Sequence, residues 1–179
     1  MTVFLSGGCK NGKSSLAERA ARALANGGPL YYIATMIPHD EEDRLRIRRH
    51  VASRQGLGFL TLEQGRDLLK CLDRAEPGGA FLLDSVTALL SNEMFRPGGV
   101  FEPQAGERVA ADLRSFARRA GNAVFVSDFL YADAGRYDEY TETYRRALAL
   151  CDRTLAACCD TAAEVCSGNV ILHKGELPV

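Results

Sequence analysis

The most constraining stretch lies at the start of the chain, where residues 3–24 read VFLSGGCKNGKSSLAERAARAL. A short apolar run passes into glycines, then a lysine and serine, then a helix-forming pattern. Gly7-Gly8-Cys9-Lys10-Asn11-Gly12-Lys13-Ser14 fits G-x-x-x-x-G-K-[ST] at every position. That phosphate-binding pattern needs a strand before it and a helix after it, and the flanking residues predict both. The glycines let the backbone curl so that successive amide N–H groups face a phosphate. The following helix adds the positive end of its dipole. Lys13 is suited to the β- and γ-phosphates, and the Ser14 hydroxyl to a Mg²⁺ ion bridging them.

The rest of the chain alternates in the same way. Leu16, Ala20 and Ala23 or Leu24 share a helix face, and Gly27-Gly28 ends that helix. PLYYIAT predicts a second strand, and the charged DEEDRLRIRRHVASRQG a helix ending near Gly56, with Leu45, Ile47 and Val51 as its sparse apolar side. FLTLE is extended, GRDLLKCLDRA is amphipathic and helical by pattern, and RPGGVFEP is expected to be loop. Helices are also predicted in QAGERVAADLRSFARRAG and YDEYTETYRRALALCDRTLAACC, with one or two short strands at the end. The runs at 3–5, 80–83 and 123–127 are apolar on both faces, which predicts strands of a mostly parallel sheet with helices on both faces. The expected fold class is α/β, P-loop NTPase-like, in a single nucleotide-binding domain over residues 1–179.

Composition narrows the function classes. The 22 Lys and Arg residues nearly balance 23 Asp and Glu, so no broad nucleic-acid surface is expected. No apolar run approaches the roughly 18 residues needed to span a membrane, and the N-terminus lacks the basic region of a signal peptide. A cytoplasmic protein is the expectation. The last four of six cysteines are spaced C-x6-C-C-x6-C, without a C-x2-C knuckle, and read as small apolar residues rather than a metal cluster.

AFLLD and AVFVSD place Asp84 and Asp128 after apolar strands, at the carboxyl edge where ligands collect in open α/β sheets. Asp84 is the candidate Mg²⁺ partner of Ser14. A helix N-cap is the other reading for either carboxylate. In RLRIRRHVASR, helical spacing would set Arg46, His50 and Arg54 on one face. Guanidiniums favour the neutral, nucleophilic form of a neighbouring histidine and can hold a phosphate beside it. A basic surface helix meeting an acidic partner is the other reading of that segment.

The ordered series LSGGCKNGKS, YYIAT, DEEDRLRIRRHVASR, TLE and LLDSVTALLSN resembles the bifunctional adenosylcobinamide kinase / adenosylcobinamide-phosphate guanylyltransferases of cobalamin biosynthesis. A weaker match follows at CDRTLAACCDTAAEV. The resemblance implies that Gly7, Gly8, Cys9, Lys10, Asn11, Gly12, Lys13 and Ser14 hold nucleotide phosphates. It implies guanine-nucleotide contacts at Ile33, Ala34, Thr35, Val51, Ala52, Ser53, Arg54, Glu63 and Asp84, and a guanylylated histidine at His50. It also implies Mg²⁺, ATP and GTP as substrates, a corrinoid acceptor, and a homotrimer. The chain departs from the family at Ser127–Asp133, where Glu-Val-Gly and a Gly-rich loop are typical. It departs again at Arg153-Thr154-Leu155-Ala156, where Arg-x-Asn-Gln is typical.

The reading that follows is phosphorylation of adenosylcobinamide, with Lys13 catalytic, then GMP transfer through His50. Two alternatives stand beside it: a P-loop kinase with His50 idle, and a nucleotide-binding regulatory protein without turnover.

Overall fold

The computed structural model describes residues 1–131 and 134–179. Ala132 and Asp133, the end of the divergent loop noted above, lie outside the described residues.

The strand after Met1, β1 (Thr2–Gly7), is almost wholly buried and lies inside a sheet. Around it run β2 (Leu30–Ala34), β3 (Leu60–Glu63), β4 (Ala80–Asp84), β7 (Asn122–Asp128), β8 (Thr161–Cys166) and β9 (Asn169–Lys174). The order among the described residues is β3-β2-β4-β7-β1-β8-β9. All neighbours are parallel except β8 and β9, which form an antiparallel pair at one edge. The two short strands expected at the end of the chain are β8 and β9.

Because strand side chains alternate, each buried strand feeds two cores. Val3, Leu5, Leu82 and Val124 meet Leu16, Ala17, Ala20 and Ala21 of α1 (Lys13–Ala25) on one face. Phe4, Ile33, Phe81 and Phe125 face α3 (Val86–Met94), α4 (Ala105–Ala120) and α5 (Glu139–Cys158) on the other. Gly106 lets α4 approach α5 closely, since a Cβ there would sit 2.6 Å from the Ala147 Cβ. Cys71, Cys151 and Cys159 are buried as small apolar residues. Among the described residues no helix is long and apolar enough to cross a membrane.

Three segments differ from the sequence expectation. The helix expected around residues 65–75 is a 3-10 helix, Leu68–Arg74, entered through Asp67 at a φ of 51°. Its buried residues, Leu68 and Cys71, are three apart, and that spacing suits three residues per turn. The expected loop after Met94 contains the hairpin β5 (Phe95–Arg96) and β6 (Val100–Phe101). Gly98 and Gly99 turn its chain at positive φ. Helix α2 (Glu41–Ser53) forms where expected but buries no residue; Leu45 and Val51 are 40% and 47% exposed.

Candidate active site

The phosphate loop runs from the end of β1 into α1. Gly12 is the N-cap of α1 at a φ of 89°, which a glycine adopts without strain. Gly7 lies against β8, where a Cβ would strike the Val165 carbonyl, and the Asn11 side-chain amide donates to that carbonyl at 3.3 Å. Lys13 is only 5% exposed. Its Nζ donates to the Gly8 carbonyl at 2.6 Å and pairs with Asp128 Oδ1 at 3.0 Å. Lys13 thus curls over its own loop, as a lysine must to meet a phosphate held there.

Parallel register lines up the other site residues along the carboxyl edge. Ala34 pairs with both Glu63 and Asp84, and Gly7 pairs with Asp128. The Ser14 hydroxyl donates to Asp84 Oδ2 at 3.3 Å, and the Tyr32 hydroxyl donates to the same oxygen at 3.0 Å. Burial and the Asp84 charge push the Tyr32 phenol far above its ordinary pKa, so it stays a donor. Serine hydroxyl and carboxylate are the hard oxygen ligands that Mg²⁺ takes, and they already adjoin one another. The residues therefore fit the ion.

Arg54 caps the end of α2 and is 7% exposed. Its guanidinium lies 3.4 Å from the centre of the Tyr32 ring, and its Nη1 is buried without a hydrogen-bond partner among the described residues. One turn beyond Ser14, Glu18 stands in the same electrostatic neighbourhood. Burial raises its carboxyl pKa, Arg54 opposes the rise and Asp84 adds to it. Contacts therefore run from α2 through Arg54, Tyr32 and Asp84 to Ser14.

The resemblance residues fall into several settings. Ile33 is fully buried and packs into the core, so its side chain is wall rather than ligand contact. Thr35 is also fully buried, and its hydroxyl donates to the Ser85 carbonyl at 2.9 Å and accepts from the Ser85 N–H at 2.7 Å. Asn92 donates to the Thr35 carbonyl at 2.7 Å. These bonds fix the ends of β2 and β4, and with them Ala34 and Asp84. Glu63 is exposed at the same edge. Cys9, Val51, Ala52 and Ser53 are exposed.

Arg46, His50 and Arg54, expected on one helix face, differ in burial. Arg54, the C-cap residue of α2, is buried, whereas Arg46 stays in solvent. The His50 imidazole has no hydrogen bond or ion pair among the described residues. Tyr32 and Glu18 were not picked out from sequence. Tyr32 carried a faint signal, an aromatic residue on the α1 face two places before a strand end.

Comparisons with known proteins agree with this geometry. The family model described as cobinamide kinase / cobinamide phosphate guanyltransferase matches residues 3–172. The bifunctional adenosylcobalamin biosynthesis protein CobP of Pseudomonas aeruginosa is 30% identical over 179 residues, covering 98% of this chain and 99% of that protein. The bifunctional adenosylcobalamin biosynthesis protein CobU of Salmonella typhimurium is 34% identical over 115 residues, covering 63% of this chain and 60% of that one. Among solved structures, a Pyrococcus horikoshii OT3 protein matches at a TM-score of 0.52 and 10% identity, over 97% of this chain and 86% of that one. The P4 protein of bacteriophage phi6, in complex with ADP, matches at 0.50 and 16% identity, over 94% of this chain and 52% of that one. These likenesses speak for the P-loop α/β fold alone. The matched span, the relative aligned from end to end and the arrangement at the carboxyl edge lead to one conclusion: this chain belongs to the cobinamide kinase / cobinamide phosphate guanyltransferase family.

Proposed function

We propose that this protein phosphorylates adenosylcobinamide with ATP or GTP, and then transfers GMP from GTP to the product through a guanylyl-histidine at His50. The observation that carries the reading is the run of contacts from α2 to the phosphate loop. Arg54, four residues after His50, lies on the Tyr32 ring, and Tyr32 bonds the carboxylate that meets Ser14.

In the first reaction the acceptor hydroxyl attacks the γ-phosphorus and the bond to the bridging oxygen breaks. Lys13, freed from Asp128, neutralises charge on the β- and γ-oxygens, and the loop N–H groups hold them in line. Mg²⁺, held by Ser14 and Asp84, supplies further charge neutralisation when bound. In the second reaction a neutral His50 nitrogen attacks the α-phosphorus of GTP and pyrophosphate leaves. A phosphate oxygen of adenosylcobinamide phosphate then displaces the histidine. Two transfers replace one harder step. The unpartnered Arg54 Nη1 is a ready donor to a phosphate oxygen. Helix α2 buries no residue, so bringing His50 to the α-phosphate breaks no core packing.

The test uses GTP labelled at the α-phosphate. Acid-labile label is expected on the unmutated protein and absent from His50→Ala, which still phosphorylates adenosylcobinamide. An unlabelled wild-type protein sinks the guanylyl half, and no phosphorylation of adenosylcobinamide sinks the kinase half. By the same resemblance we take the protein to be a homotrimer in the cytoplasm.

A further inference from the structure

The first transfer releases a proton. The acceptor hydroxyl loses it as its oxygen bonds the γ-phosphorus, and a carboxylate within hydrogen-bond reach speeds such a step. Among the described residues two carboxylates touch the phosphate loop, Asp84 at Ser14 and Asp128 at Lys13. Asp84 Oδ2 already accepts from Ser14 and Tyr32, on the side that fits Mg²⁺. Glu18 belongs to that side as well, acting on Arg54 and Asp84. Asp128 stands apart from the metal ligands and touches the lysine that meets the transferring phosphate.

The backbone of Asp128 is fixed and its side chain is open. Asp128 ends β7, which lies between β4 and β1, and it is in register with Gly7. Its N–H donates to the Thr87 hydroxyl at 2.9 Å, at the start of α3. The next N–H, that of Phe129, donates to the Gly7 carbonyl at 3.0 Å. A strand end pinned in this way holds a side chain more precisely than a loop does. The Asp128 side chain is 26% exposed, whereas that of Lys13 is 5% exposed. The ammonium is enclosed while the carboxylate faces out, so an acceptor arriving from solvent can reach it.

Distance points the same way. Oδ1 lies 3.0 Å from Lys13 Nζ. A γ-phosphate oxygen held by that ammonium sits about 3 Å from it, so the carboxylate and phosphate oxygens are at most about 6 Å apart. A hydroxyl oxygen fits between them, about 3 Å from the carboxylate and roughly 3–3.5 Å from the phosphorus it attacks.

We propose that Asp128 is the catalytic base of the phosphoryl transfer, an assignment that rests on the proposed function. When nucleotide binds, Lys13 leaves Asp128 for the β- and γ-oxygens, and the freed carboxylate accepts a hydrogen bond from the acceptor hydroxyl. As the new O–P bond forms, the hydroxyl proton passes to Asp128. The bond from the γ-phosphorus to the bridging oxygen breaks, and its electron pair stays on the departing nucleoside diphosphate. The proton then passes to water. In the GMP transfer the acceptor is a phosphate oxygen, so Asp128 serves the first step alone.

The test is steady-state phosphorylation of adenosylcobinamide by γ-labelled ATP or GTP, with ADP affinity measured by calorimetry on the same preparations. Asp128→Asn keeps the shape of the side chain and an acceptor for Lys13, but its amide takes up no proton. Its kcat is expected to fall about 100-fold or more, the scale of general-base catalysis, with ADP bound at least as tightly as by the wild type. Asp128→Ser should repeat that split, and Asp128→Glu, which restores a carboxylate, should recover part of kcat. An Asp128→Asn variant that phosphorylates as fast as the wild type makes Asp128 a counter-ion of Lys13 and overturns the assignment. So does a loss of ADP affinity that matches the loss of rate in both neutral variants. A wild-type protein that phosphorylates no adenosylcobinamide overturns the proposed function, and this assignment with it.

Discussion

Lys13 and Asp152 are both buried charged residues, and they are satisfied differently. Lys13 has a carbonyl and a carboxylate within 3.0 Å. Asp152 has one phenol donor, and burial outweighs the pull of the Ser127 and Tyr131 hydroxyls while Asp128 adds to the rise. A raised carboxyl pKa means the folded state binds the proton more tightly than the unfolded chain. Stability is therefore lost as pH rises from the ordinary value of 3.8 through about 6. At about 1.4 kcal/mol per unit the penalty at neutral pH is about 3 kcal/mol. Tyr131, Tyr144 and Cys151, which lie against Asp152, are all pushed upward; Asp128 acts on it as well, and Arg153, Glu164 and His173 line the cleft that Asp152 borders. Asp152→Asn escapes the penalty. Its melting temperature is expected to exceed that of the wild type at neutral pH, with the gap closing toward pH of about 4. Parallel melting profiles across that range would count against the account. The position was not singled out from the sequence, because Cys151-Asp152-Arg153 reads as one more turn of an amphipathic helix.

Helix α2 is held together differently from its neighbours. Asp40 caps it by accepting from the Asp43 N–H at 2.8 Å, three acidic residues occupy its first turn, and Glu41 pairs with Arg44 and Arg48. Exposed pairs of this kind are screened by solvent and contribute little to stability. A helix of 13 residues is marginal without packing. Its anchor is the Arg54 guanidinium on the Tyr32 ring. Arg54→Ala is expected to speed amide hydrogen exchange across α2 by up to about tenfold, the scale of a cation–π contact, with α1 unaffected. Unchanged exchange in α2 would refute the anchor. The helix itself was legible from its charges and cap. The burial of Arg54 on Tyr32 was not, since it depends on a contact with β2, twenty-two residues earlier in the chain.

At the scale of the molecule, apolar surface is left at several places, two of them on α2 and β9. Leu45 and Val51 are exposed on α2, and Val170, Ile171 and Leu172 on the edge strand β9. Exposed apolar surface of this kind suits contact between copies. Light scattering is expected to return three times the chain mass; a monomer at micromolar concentration would discard the trimer. The sequence by itself determined the phosphate loop, the strand-to-carboxylate pattern at Asp84 and the α/β class, because each depends on backbone geometry written within about ten residues. It also carried the family, through motifs whose order survives divergence. Only the tertiary structure decided that β7 lies between β4 and β1 and so brings Asp128 to Lys13. Only it set Arg54 on Tyr32, and Asp152 beside Tyr131 in a cleft next to the loop. Those contacts join residues far apart in the chain. Strand order and helix packing create them, and these follow from burying both faces of one sheet at once.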